Sequence, residues 1–361
     1  MLILLSSRQS EPLNPIKISG AGIAGMTAAI NLKKAGKNVV IFEKYPAIGL
    51  SRDGDYEGLE NWIFEENLHS FFINHGFLFD SIKTHPIFNF TVHFDGVEPF
   101  NVHSAIPFFY LVKRGSERDC IDMQLYEQCV STGVEFEFGN NAPDKITIDA
   151  SGTKKAAGLI QGMNYKTDLK DQIHLLFGQE YAPKGYAYLI VLDGKATLAT
   201  AFKKNKDILT NPLQKSIDYF NQKGFMIPKG SAFGSRGSFD IPLMKALKHP
   251  YRIGEAGGYQ DYLFGFGMRM AMTSGLAIAK HLSGESDEAK RLLKLLNRKC
   301  KISFVNRIIY ERITDHQKLK IAKSMAVSDR PLNILSRSYQ WNFNKMKRWI
   351  TMKAQYEIRP V

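Results

Sequence analysis

The stretch from Ile18 to Lys44 reads ISGAGIAGMTAAINLKKAGKNVVIFEK, and its glycine spacing decides the fold. Gly20, Gly22 and Gly25 form G-x-G-x-x-G between two β-branched runs, IKIS (Ile16 to Ser19) and VVIF (Val39 to Phe42), which read as short buried parallel strands. Between the runs the residues from Ile23 and Ala24 onward have helical periodicity. The glycines then have separate tasks: a tight turn out of the first strand, bare backbone against which a pyrophosphate can lie, and close packing of helix on strand. The helix start points free N–H groups and a partial positive charge at the phosphates. Glu43 ends the second strand with Lys44 beside it, about 20 residues beyond the glycines, where a carboxylate accepts hydrogen bonds from a ribose 2′-OH. FAD or NAD is therefore favoured over NADP, whose 2′-phosphate Glu43 would repel, and a fingerprint this early in the chain tilts the choice to FAD.

A second stretch, YRIGEAGGYQDYLFGFGMRMAMTSGLAIAKHLSG from Tyr251 to Gly284, completes the same site. Its RIGEAGG resembles the G-D-A motif of FAD proteins with the para-hydroxybenzoate hydroxylase fold. In that family the acid binds a ribitol hydroxyl, and a glycine-rich turn then starts a long helix under the flavin. The resemblance places Gly254, Glu255 and Asp261 at the cofactor and matches the turn to Gly265, Phe266 and Gly267, with the helix beginning at Met268. A helix start suits the N1/O2 edge of a flavin, where negative charge accumulates on reduction.

Within that superfamily the chain most resembles the geranylgeranyl reductase family, over roughly residues 16 to 285. YLVKRGSERDCIDMQLYEQCVSTGVEFEFG resembles the family segment in which an arginine precedes a short loop and a helix, implying that Arg114 contacts the flavin and Asp122 is the helix N-terminal acid. TIDASG, ending at Gly152, stands where the family's strand returns to the FAD domain, and KGYAYLIVLDGKATLATAF is similar to its substrate-domain hairpin. The chain departs from the family at Glu255, which replaces the usual aspartate. It also lacks the proline after Asp261 and the F-P of the hairpin, and YPAIGLSRDGDYEGLENW has no cysteine where some archaeal members carry one.

The resemblance implies an FAD-dependent oxidoreductase that reduces C=C bonds of a hydrophobic prenyl chain by hydride transfer from reduced flavin. No catalytic residue is assigned. Two other readings stay open: an FAD monooxygenase of a small aromatic or polyene, and a non-redox flavin-dependent cyclase. The W-x-W-x-I-P motif of flavin halogenases is missing. ASGTKKAAG, from Ala150, is too glycine-poor for a second dinucleotide unit, so the electron donor, NAD(P)H or a ferredoxin, is expected to bind transiently.

The expected fold class is α/β: a Rossmann-like FAD-binding domain interleaved with an antiparallel-sheet substrate domain, plus a helical C-terminal region. The FAD domain takes residues 1–65, 105–155 and 250–284, the substrate domain 66–104 and 156–249, and the C-terminal region 285–361. Asp-Gly sits between alternating apolar runs in FNFTVHFDGVEPFNVH and YAYLIVLDGKATLATAF, which predicts two hairpins. Phe88, Phe90, Phe94, Phe100, Phe108, Phe109 and Tyr110 either line a hydrophobic tunnel or fill ordinary sheet core.

A chain of 361 residues with 44% hydrophobic and 23% charged residues can bury a full core. Three scattered cysteines exclude a disulfide framework and fit a reducing cytoplasm. MLILLSS has an apolar run of about five residues, shorter than the signal-peptide range of about 7–15. No run reaches the roughly 18 apolar residues of a transmembrane helix. His69, His75, His85, His93 and His103 lack ligand spacing, so no metal is expected and they are placed on a half-solvated sheet.

The net charge of +13 is concentrated at one end: from Glu285 onward stand 18 Lys and Arg against 7 Asp and Glu. These residues read as basic amphipathic helices. They either meet an anionic membrane peripherally or form a lid on the FAD domain with a solvated basic face. No nucleic-acid motif accompanies them.

Overall fold

The β-branched runs flanking the glycines fold as β1 (Ile16–Ser19) and β2 (Val39–Glu43), joined by α1 (Ile23–Lys34). The computed structural model describes residues 14–152, 158–203, 211–237 and 247–353. The apolar opening run, the middle of ASGTKKAAG and the end of the basic tail lie outside the described residues. Along the chain follow β3 (Tyr56–Glu60), α2 (Leu68–Asn74), β4 (His85–Ile87), β5 (Asn89–Phe94), β6 (Val97–His103), β7 (Phe109–Lys113), α3 (Ile121–Ser131), β8 (Glu135–Phe138) and β9 (Ile148–Asp149). Next come β10 (Gly158–Lys166), β11 (Gln172–Phe177), β12 (Tyr186–Leu192), β13 (Lys195–Phe202), α4 (Pro212–Gln222), β14 (Ser231–Gly237) and β15 (Tyr251–Arg252). Helices close the chain: α5 (Met268–Leu282), α6 (Ser286–Arg312), α7 (Asp315–Ala326), α8 (Pro331–Ser338) and α9 (Phe343–Lys353).

One sheet has the order β15-β9-β1-β2-β8 with every pair parallel. Parallel neighbours need a crossover, and α1 supplies it between β1 and β2. Every residue of α1 from Ile23 to Ile30 is buried because the helix is covered twice, by the sheet and by α5. The second contact is close enough that a Cβ on Gly275 of α5 would stand 2.5 Å from the Ala24 carbonyl oxygen.

A second sheet runs β14-β10-β13-β12-β11-β5-β6, and β3, β7 and β4 form a small third one. Both predicted hairpins form, β5 to β6 and β12 to β13. At the second turn Asp193 and Gly194 both have positive φ, 51° and 72°, as a two-residue I′ turn requires. The expected all-antiparallel arrangement is corrected at one seam, where β5 and β11 pair in parallel. These strands come from separate excursions of the chain, so no hairpin ties their directions.

One boundary also shifts. Residues 66–104 were assigned to the substrate sheet, but Leu68, Phe71 and Phe72 of α2 join the core of the parallel-sheet domain. Each such buried apolar side chain contributes roughly 1.5–3 kcal/mol, which ties α2 there. The seven-stranded sheet takes up the chain only from β5. The C-terminal helices pack inward: α6 buries Leu292, Leu296, Phe304 and Ile308 in the core shared with Phe90 and Val92 of β5. Trp349 of α9 meets Phe304 edge-on at 5.3 Å. Among the described residues no helix is long and apolar enough to cross a membrane.

Candidate active site

The glycine fingerprint shows its division of labour in space. A Cβ on Gly20, whose φ is +98°, would lie 2.5 Å from the Ala150 carbonyl oxygen, and one on Gly25 would lie 2.2 Å from the Gly20 carbonyl oxygen. A Cβ on Gly22 would meet nothing within 4 Å. The outer glycines therefore permit backbone contact, whereas the middle one leaves open space at the start of α1. Gly22 is the helix N-cap and offers no side-chain cap, so the first-turn N–H groups remain available to an anion. The Glu43 carboxylate is fixed by two backbone donors, Ala21 N–H at 2.9 Å and Tyr45 N–H at 3.0 Å. Each oxygen keeps a lone pair for ribose hydroxyls. Lys44 is corrected: it is exposed, with its ammonium 4.7 Å from the Tyr45 ring, and it does not reach the cavity.

The downstream motif converges on the same place. Gly254, at φ +57°, donates its N–H to Ser274 Oγ of α5 at 2.8 Å. A Cβ on Gly152 would stand 3.7 Å from Glu255 Oε2, so these two expected site residues adjoin. Gly265 has φ +81° and open space around its Cα, and Gly267 caps α5 without a side chain. Ile23, Ala24, Glu43, Gly152, Gly254, Glu255, Gly265, Phe266, Gly267 and Met268 all border one cavity together with Gly22.

Asp261 is a second correction. It is completely buried and faces away from the cavity. Its carboxylate accepts from Tyr339 Oη at 2.6 Å, Ser303 Oγ, Leu263 N–H at 3.3 Å and Phe264 N–H at 2.8 Å. Burial pushes its pKa up against the pull of those donors. Asp261 thus braces the glycine turn from behind, with partners from α6 and the end of α8, rather than touching a ligand.

Arg114 borders the cavity, but its guanidinium is committed. Nε and Nη2 donate to the two Asp122 oxygens at 2.8 and 2.9 Å, and Nη1 donates to Glu57 Oε2 at 2.6 Å. Burial alone would raise the Asp122 carboxyl, yet the guanidinium beside it holds the pKa below the usual range. Arg114 therefore borders the cavity as part of a rigid ion-pair network with Asp122 and Glu57 rather than as a free cation. Asp122 stands in the first turn of α3, as expected.

The cavity has a volume of about 660 Å³ and continues from the glycine turns to a wall of aromatic side chains. Phe90, Phe94, Phe108 and Phe109 line it, while Phe88 is exposed, Phe100 faces a separate groove and Tyr110 packs on the other core. Its far end is bordered by Tyr310 and Ile313, by Ile321 and Met325 of α7, and by Ile334 and Leu335 of α8. Sequence reading missed this wall, because helical periodicity gives the apolar stripe without saying what it covers. It also missed Asp55, which lies in the loop before β3 outside any motif. Asp55 is buried on the cavity wall, and burial, then the negative charge of Glu57, raises its pKa to about 6.

His93 is corrected as well. It is buried, with Nε2 2.9 Å from His174 Nδ1, because α4 covers that face of the sheet with Tyr219 and Phe220. Burial lowers both imidazoles to about 4.

Residues 18–75 match the family model described as an NAD(P)-binding Rossmann-like domain. Among solved structures, a geranylgeranyl bacteriochlorophyll reductase-like protein of Thermoplasma acidophilum is 17% identical, with 95% of this chain and 99% of that chain covered at a TM-score of 0.66. A flavoprotein/dehydrogenase of Cytophaga hutchinsonii is 16% identical over 95% and 99%, at a TM-score of 0.63. A flavin-dependent brominase is 15% identical over 94% and 98%, at a TM-score of 0.61. At these identities the likeness is one of fold.

Proposed function

We propose that this chain is an FAD-dependent oxidoreductase that saturates C=C bonds in a prenyl-type lipid chain. The observation that carries the reading is one continuous cavity, with two uncapped helix starts and the Glu43 carboxylate at one end and buried aromatic rings at the other. Gly22, the start of α1 and Glu43 would hold the ADP half of FAD, whose ribose the carboxylate recognises. Gly152, Gly254, Glu255 and the Gly265 to Gly267 turn would hold the flavin half. Reduced FAD, when bound, supplies a hydride to one alkene carbon.

The rest of the chemistry falls to the chain itself. An isolated alkene is a poor hydride acceptor, so close positioning and a water-excluding wall matter more than a strong acid. Phe90, Phe94, Phe108 and Phe109 provide that wall. Asp55 holds a proton on its carboxyl up to a pH of about 6 and delivers it to the neighbouring carbon. Electrons come from a donor that binds transiently, NAD(P)H or a ferredoxin. The described residues contain a single parallel sheet with one glycine fingerprint, which supports this.

The test is to photoreduce the holoprotein without oxygen, add a geranylgeranyl lipid, and follow the flavin absorbance and the lipid mass. Reoxidation with a gain of two hydrogens per double bond is expected. Flavin that stays reduced until air is admitted, followed by oxygen incorporation, would replace this reading with a monooxygenase.

A further inference from the structure

We infer that the C-terminal helices form an anionic-membrane docking surface at the mouth of the apolar cavity, through which a lipid chain enters from the bilayer. The portal rests on the proposed lipid substrate. The docking surface stands on its own observations.

The mouth is located by Ile321. This α7 residue borders the cavity and is still 50% exposed, so the apolar wall reaches solvent there. On the same helix Met325 is buried in the wall, and just beyond its end Val327 is 85% exposed. Ile334, Leu335 and Ser338 of the adjacent α8 complete this side. Lys345 of α9 donates to the Ser338 carbonyl and ties α9 to the end of α8.

α9 is apolar on two faces. Trp349 and Met352 pack on the core. Phe343, Met346 and Ile350, spaced i, i+3, i+7, form an outward stripe with exposures of 72%, 38% and 61%. At 100° per residue the centre of the stripe lies about 120° around the helix from that of Trp349 and Met352, so the stripe forms a separate face from the packed one. Lys347 borders the stripe and is exposed.

Charge selects the occupant. From Arg312 to Lys353 the chain carries ten Lys and Arg against two Asp, and Lys320, Lys323, Arg330, Arg337, Lys347 and Arg348 are exposed. Apolar side chains projecting from a cationic surface match the interface of an anionic bilayer, where the chains enter the acyl boundary and the cations meet the headgroups. A cavity mouth in the same surface needs an apolar phase outside it, which a bilayer provides.

The test uses holoprotein sedimented with phosphatidylcholine vesicles, with and without phosphatidylglycerol, at low and high salt. Binding should require the anionic lipid and weaken with salt. The double variant Phe343→Ser/Ile350→Ser should lower partitioning about tenfold, and Lys347→Glu should lower it on anionic vesicles. Neither change touches the cavity, so the flavin spectrum, thermal midpoint and turnover of a detergent-solubilised prenyl lipid should stay as in the parent. Turnover of the same lipid embedded in anionic vesicles should fall with the double variant. Absence of vesicle binding by the parent, or equal binding by parent and double variant, would overturn the docking surface. Dimerisation through the stripe without vesicle binding would overturn it too, in favour of a second copy. Vesicle binding without alkene reduction in any medium would overturn the enzymatic reading and leave the surface in place.

Discussion

Replacing Tyr339 with Phe removes one oxygen atom from the C-terminal region, yet it should weaken a cofactor site far upstream in sequence. The hydroxyl donates to Asp261 Oδ1 at 2.6 Å, and both residues are completely buried. Asp261 in turn holds the Leu263 and Phe264 N–H groups, which shape the turn leading to Gly265 and Gly267. A hydrogen bond to a charged or partly charged buried group is worth about 1.5–3 kcal/mol, and the ring still fills its space after the change. At about 2 °C per kcal/mol for a chain of this size, the apoprotein midpoint should fall by about 3–6 °C. Loosening of the turn should also raise the FAD dissociation constant severalfold, read by flavin fluorescence titration. The control is Tyr165→Phe. The Tyr165 hydroxyl is buried with no partner among the described residues, so the same chemical change should be neutral or stabilising. If both variants lose equal stability, or if Tyr339→Phe loses stability while binding FAD as tightly as the parent, then the Asp261 latch does not position the turn.

Gly22→Ala should leave the apoprotein midpoint unchanged and weaken FAD by about tenfold or more, because the methyl enters open space that the pyrophosphate needs. Gly25→Ala, 2.2 Å from a carbonyl oxygen, should destabilise the apoprotein itself by about 1–3 kcal/mol in urea unfolding. Asp55 titrates at about 6, raised from the usual carboxylate value, so its proton is lost above that pH. Anaerobic single-turnover rates should fall about tenfold per unit above pH 6, and Asp55→Asn should be slow and flat across the same range. Arg114→Ala leaves the buried Asp122 without its counter-ion and Glu57 with only the exposed Arg52, and should cost about 3–5 kcal/mol in chemical denaturation. Both carboxyls are held below their ordinary pKa in the fold, so the stability they contribute is present above the ordinary carboxylate range and is lost as the pH falls through their lowered values. Acid unfolding of the parent should therefore begin below that range, and the Arg114→Ala protein should show a weaker dependence there.

The parts of the site that were legible in the sequence are those fixed by local backbone chemistry. Gly20 and Gly25 announce themselves because only glycine fits a turn at φ +98° or a helix start pressed onto a strand, and Gly22 because a bare residue at the helix start leaves space for a phosphate. The two Asp-Gly hairpins are legible for the same reason. Side chains whose direction is set by distant partners were not. Asp261 lies inside a recognised motif, but Ser303 and Tyr339, 42 and 78 residues downstream, turn it away from the ligand. Arg114 meets Glu57 across 57 residues, and a motif gives no sign of that pairing. Asp55 has no motif at all, and its burial follows from the sheet that closes over it. The parallel seam between β5 and β11 joins two excursions whose relative direction no turn encodes.

The turn from Asp261 to Gly267 is where these distant partners meet. Phe266 stacks edge-on against Trp62 at 4.8 Å and tilts on Phe109 at 5.6 Å, which ties the turn to the small third sheet and to the cavity wall. The Phe264 carbonyl accepts from Tyr186 Oη of β12 at 2.6 Å, which ties it to the large sheet. Tyr262 N–H donates to Ser303 Oγ at 2.6 Å, which ties it to α6. Three layers of the molecule thus hold one short segment of backbone, and that segment borders the cavity at the point where its glycine end gives way to its aromatic end. The same α6 also carries Tyr310, part of the far wall, whose hydroxyl donates to the Gly185 carbonyl just ahead of β12. A displacement of α6 would therefore move the far wall and the glycine turn together.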